Sequence, residues 1–239
     1  MAQKRLMDDN DWDNWIDKVF AAEPIPDEEV SDEAWTVTPC GPPLTDEEIN
    51  IALDRLTGWQ SPNSFRDDVL QLCSRCSPSD YFSQPRLKFL HDAFVLAEFA
   101  TKRSVDQIRL ASRDERWPDG HVKIGSRTFN VEVTSTHGDR KLGQEYRKVK
   151  DADPVIEEDP IEDWIARADS IPEYLEKAIR DKIDMNYSSP CWLVVYLNIS
   201  EWGIRQNQIE QMIAATVSCY GEKFENISVL WKGKLYSDH

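Results

Sequence analysis

Apolar side chains recur at helical spacing in several segments of the first half of the chain. Thr45 followed by Glu48 has the pattern of a capping box, so a helix is predicted to begin there and to end near Gly58. A second, short helix is predicted at about 65–73. After Pro85, which suits the first turn of a helix, four apolar residues form one stripe of a longer helix: Leu87, Leu90, Phe94 and Ala97.

Strand patterns follow this helix. The segment IRLAS, which begins at Ile108, predicts one strand. Two runs in which apolar and polar residues alternate come next, and Gly125 and Ser126 separate them. Two such runs joined by two turn-forming residues predict a β-hairpin.

The last part of the chain mixes both kinds of element. Helices are predicted at about 143–149, 161–168, 171–185 and 206–220. The continuous apolar run CWLVVYLNI has the length of a strand that is covered on both faces, and ISVLWKGKLY predicts one closing strand. From residue 86 the order is α-β-β-β-α-β-α-β, which predicts an α/β fold with a mixed central sheet flanked by helices.

The N-terminal region differs from the rest of the chain. Residues 1–44 are acidic, contain several prolines and lack a long apolar period, so we interpret them as an arm without its own core. Residues 45–84 are interpreted as a helical extension, and residues 85–239 as the α/β domain. Within the arm, residues 11–20 carry apolar side chains at helical spacing among acidic ones. This pattern is typical either of a short helix docked on the body or of a segment that binds a partner protein.

Charge is distributed unevenly along the sequence. The 239 residues carry 28 Lys and Arg against 44 Asp and Glu, and the net charge of −16 argues against a surface that coats nucleic acid non-specifically. Residues 61–150, however, hold 16 basic and 12 acidic side chains. A site for a polyanion such as DNA or RNA is therefore expected in this middle region.

The composition and the motifs disfavour several classes of protein. No apolar stretch is long enough to span a membrane, and the first residues lack the apolar core of a secretory signal. The odd, scattered set of 5 cysteines favours reduced thiols and a cytoplasmic location. The motifs GxxxxGKS, GxGxxG, HExxH and GxSxG do not occur, so NTPase, dinucleotide-binding, zinc-protease and serine-hydrolase functions have no support.

The predicted hairpin brings two acidic side chains together. If the turn is at residues 125–126, Asp119 lies directly opposite Glu132, and His121 lies opposite Asn130. Opposed residues on paired strands have Cβ atoms only about 4.5–5.5 Å apart, so the two carboxylates repel each other unless a cation lies between them. Mg²⁺ takes carboxylate oxygens and leaves positions for phosphate oxygens, and such an ion can assist phosphodiester hydrolysis. The alternative is a solvent-facing hairpin whose acidic residues are unrelated.

The order of these elements resembles the PD-(D/E)xK superfamily of nucleases, which is also called restriction-endonuclease-like and has the shared core αβββαβ. The family motif is Pro-Asp, a variable gap, and then Asp/Glu-x-Lys. Pro118 and Asp119 match its first half, and Glu132, two residues before Thr134, matches the acidic residue of its second half. The resemblance covers roughly residues 86–200.

This resemblance implies a metal site. Asp119 and Glu132 would coordinate Mg²⁺ or Mn²⁺, and the main-chain carbonyl of Val133 would be a further ligand. Glu98 corresponds to the acidic residue that many members carry on the first helix, where it binds the same ion or a water molecule beside it.

One motif position departs from the family pattern. The family lysine, which orients or deprotonates the attacking water, would fall at Thr134, and threonine supplies no cation and is a poor base at neutral pH. In similar families the basic residue can move to a neighbouring element. The candidates for this role are His121 on the hairpin, and Gln144 and Lys148, which lie four apart on one face of a predicted helix.

We therefore expect a metal-dependent nuclease that hydrolyses the phosphodiester bonds of DNA or RNA. Loss of the motif lysine supports an alternative, a catalytically inactive protein of nuclease fold that binds or scaffolds through protein partners. A third hypothesis is an unrelated α/β domain that acts in a protein complex through residues 1–44.

Overall fold

The computed structural model describes residues 41–76, 80, 84–141, 160–185, 187, 190–199, 201, 203 and 205–237. All of them belong to one compact unit, Val37–His239. The predicted helices at 11–20 and 143–149 lie outside the described residues, as do Gln144 and Lys148. Most of the predicted acidic arm lies outside them as well.

Five α-helices and six strands form the described part of the fold. The helices are α1 (Asp46–Leu56), α2 (Pro62–Cys73), α3 (Lys88–Arg103), α4 (Ile161–Asp184) and α5 (Gln206–Tyr220), and a 3₁₀ turn at Pro85–Leu87 leads into α3. The strands are β1 (Gln107–Leu110), β2 (Gly120–Ile124), β3 (Arg127–Thr136), β4 (Trp192–Leu197), β5 (Asn226–Trp231) and β6 (Lys234–Ser237). The predicted α/β fold with a mixed sheet is therefore confirmed.

The strands form one sheet in the order β1-β2-β3-β4-β5-β6. The pairs β1–β2, β2–β3 and β5–β6 are antiparallel, whereas β3–β4 and β4–β5 are parallel. Parallel neighbours need a long crossover connection, and α4 and α5 occupy these two connections.

The hairpin between β2 and β3 has the predicted register. Gly120 pairs with Val131, His121 with Asn130, and Ile124 with Arg127. Gly125 takes the turn with φ +59°, a backbone conformation that glycine adopts without steric cost. The capping box before α1 is also confirmed, because Thr45 Oγ1 accepts the Glu48 N–H while the Glu48 side chain accepts the Thr45 N–H.

Two predicted boundaries were wrong. The helices expected at 161–168 and 171–185 are one helix, α4, with Pro172 inside it. Proline removes one backbone hydrogen bond, but Ile171 and Leu175 on either side are fully buried, and this packing holds the helix together. The single closing strand is instead the hairpin β5–β6, since Lys232 and Gly233 both have positive φ and reverse the chain.

The two faces of the sheet have separate cores. Val131, Val133 and Val194 pack in a cluster with residues of α1, α2 and α3, so the helices of the predicted 45–84 extension share a core with the sheet. Leu193 and Val195 pack in a second cluster with α4 and α5. Because successive residues of a strand point to opposite faces, these clusters fix which way each polar residue between them points.

The structure bears on the predicted boundary of the arm and on the predicted absence of a membrane span. Leu44, expected in the arm, is 4% exposed and packs in a small cluster with Ile49 and Leu90 of the helices. No helix in the described ranges has the length and apolar character that crossing a membrane requires.

Candidate active site

Asp119 is the residue before β2. Its side chain reaches β3, the other strand of the hairpin. Its Oδ2 accepts a 2.8 Å hydrogen bond from the backbone N–H of Val133. Continued by one residue, the hairpin register places Asp119 opposite Glu132, as the sequence predicts.

Glu132 points away from the core that surrounds its two neighbours, Val131 and Val133. It is 6% exposed, and its Oε1 accepts hydrogen bonds from Lys182 Nζ at 2.5 Å and from the Tyr187 hydroxyl at 2.9 Å. Burial of a carboxylate is costly unless a cation or hydrogen bonds compensate it. Lys182, from the C-terminal part of α4, supplies that compensation.

Tyr187 is held in place by its own ring contact. The ring stacks on Trp117 with centroids 5.3 Å apart and an interplanar angle of 20°. Burial raises the pKa of Tyr187 above its ordinary value, and the hydrogen bond to Glu132 raises it further. The phenol is therefore protonated at neutral pH and is a hydrogen-bond donor to Glu132.

Asp119 is a partly buried carboxyl that lies near two other acidic side chains. Burial raises its pKa from 3.8 to about 7, and the charges of Asp92 and Glu132 contribute further to the rise. The hydrogen bond from Val133 and the charge of Lys182 act in the opposite direction. A carboxyl with such a raised pKa gains from a nearby cation, because the cation favours its ionised form.

A cavity of about 560 Å³ opens beside these residues. The cavity lies between the N-terminal half of α3, the end of β3 and α4. The helix α3 contributes Lys88, His91 and Asp92 to its lining. The other lining residues that bear on chemistry are Asp119, Thr134, His137 and Lys182. Two carboxylates and two lysines therefore face one space that is large enough for a small ligand.

The structure brings Asp92, rather than Glu98, to the site. Glu98 accepts from Arg66 Nε at 2.9 Å and from Lys102 Nζ at 2.6 Å, and it does not line the cavity. The two acidic residues are six positions apart on α3, which is about 240° around a helix with 3.6 residues per turn. The carboxylate of Glu98 is therefore committed to two ion pairs on another face of α3, and its role as a metal ligand stays a prediction.

His121 also lies elsewhere. It is 8% exposed, its Nε2 is 3.4 Å from Glu115 Oε1, and its ring centroid is 6.4 Å from that of Trp59. Burial lowers the pKa of His121, and the positive charge of Arg109 lowers it further. It does not line the cavity, and its role in orienting the attacking water stays a prediction.

Lys182 lines the cavity and binds Glu132, and the sequence analysis did not identify it. It was not considered because it follows the motif by 50 residues and lies on a helix whose apolar pattern gives no sign of the site. Its orientation toward Glu132 depends on how α4 packs on β3. Asp92 was within reach of sequence reasoning, since it belongs to the predicted helix, but no pattern favoured it over Glu98.

The carboxylates form a pair rather than a closed metal cage. Among the described residues, no three or more His, Cys, Asp or Glu side chains are grouped so that they could hold a metal ion. Asp92 and Asp119 line the same cavity, while Glu132 is occupied by Lys182 and Tyr187. This arrangement fits Mg²⁺, which proteins usually bind with one or two carboxylates, waters and substrate phosphates, better than structural zinc, which needs four ligands.

Comparison of this chain with known proteins gave no assignment. Neither the family models, nor the curated proteins, nor the solved structures include a match to it.

Proposed function

We propose that this protein is a metal-dependent phosphodiesterase that cleaves nucleic acid, built on a restriction-endonuclease-like core. The observation that carries the proposal is the hydrogen bond of 2.5 Å between Lys182 and Glu132, beside a cavity lined by Asp92, Asp119 and Lys182. These residues come from α3, β3, α4 and the connection that leads into β2, so their convergence is a property of the tertiary structure. Carboxylates and a lysine at one cavity are the groups that phosphodiester hydrolysis needs.

The order of elements supports the proposed core. Among the described residues, the elements from α3 onward follow the order α3-β1-β2-β3-α4-β4, which matches the order αβββαβ of the family that the sequence resembles. Asp119 precedes the second strand and Glu132 lies in the third, as the motif of that family requires.

Asp92 and Asp119 are the proposed ligands of Mg²⁺ or Mn²⁺, and the main-chain carbonyl of Val133 is the further ligand that the family resemblance implies. When bound, the ion would supply Lewis-acid polarisation of the phosphodiester. Glu132 acts on the site through Lys182 instead of through the ion.

Lys182 takes the role that the motif lysine has in the family. Thr134 stands at the motif position and lines the same cavity, so the space that a lysine would fill on β3 is open to the ammonium group from α4. Glu132 and its partner Tyr187 fix the position of that ammonium. In the proposed mechanism Lys182 orients the attacking water and offsets the negative charge that develops on the phosphate.

The proposal is tested by Mn²⁺ titration calorimetry and by Mn²⁺-dependent cleavage of DNA and RNA, with wild type and Asp119→Asn. Wild type is expected to bind the ion and to cleave, and the variant is expected to lose both properties. Asp54→Asn, at an exposed position of α1, is the matched control and should behave as wild type. Absence of Mn²⁺ binding by the wild type would overturn the proposal.

A second candidate function is nucleic-acid or protein binding without catalysis. It is favoured by the ion pair of Glu132, since this carboxylate is already neutralised and is not available to the ion. Mn²⁺ binding that Asp119→Asn abolishes, together with no cleavage of either nucleic acid, would support this second function.

A further inference from the structure

A second cavity, of about 640 Å³, adjoins the first. The two cavities share Pro85, Asp92 and Asp119 in their linings. The proposed metal ligands therefore lie at the junction of a longer groove, with space for ligand on either side of them. A small phosphodiester needs only one of these spaces.

Three of the seven charged side chains described on the wall of the second cavity are compensated by ion pairs within the protein. Arg86 pairs with Asp46 at 2.6 Å, and Glu115 is held by Arg109 at 3.2 Å. Asp46, Arg86 and Glu115 therefore contribute little net charge to the wall.

Two arginines on the same wall are different. Arg113 and Arg116, in the connection between β1 and β2, are exposed and line the second cavity. Arg113 donates to the amide oxygen of Asn50 at 2.5 Å, which orients the guanidinium but leaves its charge uncompensated. Within the described ranges, neither arginine forms an ion pair with a carboxylate.

We infer that Arg113 and Arg116 form a subsite for the phosphate of a neighbouring nucleotide, so that the substrate is a polynucleotide strand passing through both cavities over Asp119. This inference rests on the proposed function and specifies its substrate. Guanidinium groups recognise phosphate oxygens with paired N–H donors. Asp92 and Asp119 repel phosphate in the absence of a cation. The two arginines therefore also determine where the nucleic-acid strand binds in the groove beside these aspartates.

The substrate class follows from this geometry. A mononucleotide or a small diester has no second phosphate to reach Arg113 and Arg116. A strand that continues on both sides of the junction does reach them, and the bond presented to Asp119 is then an internal one.

The inference is tested by binding, without turnover. Fluorescence anisotropy in EDTA measures the affinity of single-stranded DNA and of single-stranded RNA of the same sequence for wild type and for a variant with Arg113→Ala and Arg116→Ala. The dissociation constant is expected to rise about tenfold. The slope of log K against log salt is expected to decrease by about 0.7 for each phosphate that the variant no longer neutralises.

The matched control removes two other exposed cations, with Arg127→Ala and Lys223→Ala. Arg127 begins β3 and Lys223 precedes β5, so both lie where the parallel strands begin, away from the end of β3 that borders the first cavity. An equal loss of affinity in the control would show a general charge effect and overturn the subsite, as would unchanged affinity in the Arg113 and Arg116 variant. Circular dichroism confirms that both variants are folded.

This outcome is independent of the outcome for catalysis. Loss of affinity in the arginine variant supports the subsite even if wild type cleaves nothing, in which case the proposed hydrolysis fails and the strand-binding groove stands. Whether DNA or RNA responds more strongly identifies the class of nucleic acid that the groove prefers.

Discussion

Lys182 of α4 donates a 2.5 Å hydrogen bond to Glu132 of β3, and the two residues are 50 positions apart in the sequence. The lysine side chain is 21% exposed and the glutamate side chain 8%, so the pair lies where solvent screens it only in part. The pair links the helix that follows β3 to the strand that carries the second acidic residue of the motif. It thereby places an ammonium group at the cavity that Asp119 also lines, although position 134 has threonine.

Lys182→Met should lower both activity and stability. We expect cleavage to fall by about 100-fold or more, a typical loss for a group that positions or transfers a proton. The free energy of unfolding should fall by about 2 kcal/mol, because Glu132 is left buried without its cation. Lys177→Met, at an exposed position of the same helix, should change neither quantity, as measured by urea denaturation and by initial rates.

A second substitution separates the structural effect from the catalytic one. Adding Glu132→Gln to Lys182→Met removes the uncompensated charge, so the stability should recover in part while the activity stays low. Full recovery of activity in the double variant would contradict the role assigned to Lys182.

Asp92→Asn and Glu98→Gln distinguish the two acidic residues of α3. Asp92→Asn should weaken Mn²⁺ binding by about tenfold or more in calorimetry, because Asp92 shares the cavity with Asp119. Glu98→Gln should leave the affinity unchanged and cost about 1 kcal/mol of stability, since it disrupts the ion pairs with Arg66 and Lys102. The reverse pattern of affinities would return the metal site to the position that the sequence analysis expected.

Asp119 should make the metal-free protein less stable as the pH rises. Its pKa is raised from 3.8 to about 7 in the folded state, so between these values the folded protein binds more protons than the unfolded chain does. The stability that this group contributes is fully present below about pH 4 and is lost as the pH rises through about 7. The loss is on the order of 2–4 kcal/mol.

Asp119→Asn removes this dependence and provides the measurement. Urea denaturation in EDTA should show that the variant is the more stable protein at about pH 8 and that the difference shrinks toward about pH 4. A difference that is constant across this range would mean that Asp119 does not titrate there. In wild type alone, Mn²⁺ should restore stability at about pH 8, because an ion that binds only the folded state stabilises it.

Gly120→Ala tests the support beneath Asp119. A Cβ at this position would lie 2.6 Å from Leu96 Cδ1 and 2.9 Å from the backbone oxygen of Arg109, closer than packed atoms tolerate. We expect a loss of about 1–3 kcal/mol in urea denaturation and a loss of activity, since any shift of the strand moves Asp119. Ser126→Ala, in the exposed turn of the same hairpin, should be close to wild type in both measurements.

Local patterns predicted the elements of the fold wherever one residue type enforces a conformation. The Thr45 capping box and the turn at Gly125 are formed as the sequence indicates. The register of β2 on β3 followed from that turn alone, because a two-residue loop leaves one way to pair the strands. The break predicted between 168 and 171 is absent from α4, because the burial of Ile171 and Leu175 on either side of Pro172 outweighs the hydrogen bond that the proline removes.

By itself the sequence determined which strand residues face each other, and so it set Asp119 opposite Glu132 across the hairpin. That relation depends on contacts between residues close together in the chain, which hydrophobic alternation and turn chemistry encode. Only the tertiary structure decided that Asp92 and not Glu98 approaches Asp119, and that Lys182 takes the place beside Glu132. Both depend on the rotation and position of a helix packed on the sheet, which the burial of many distant side chains fixes together and which no short stretch of sequence specifies.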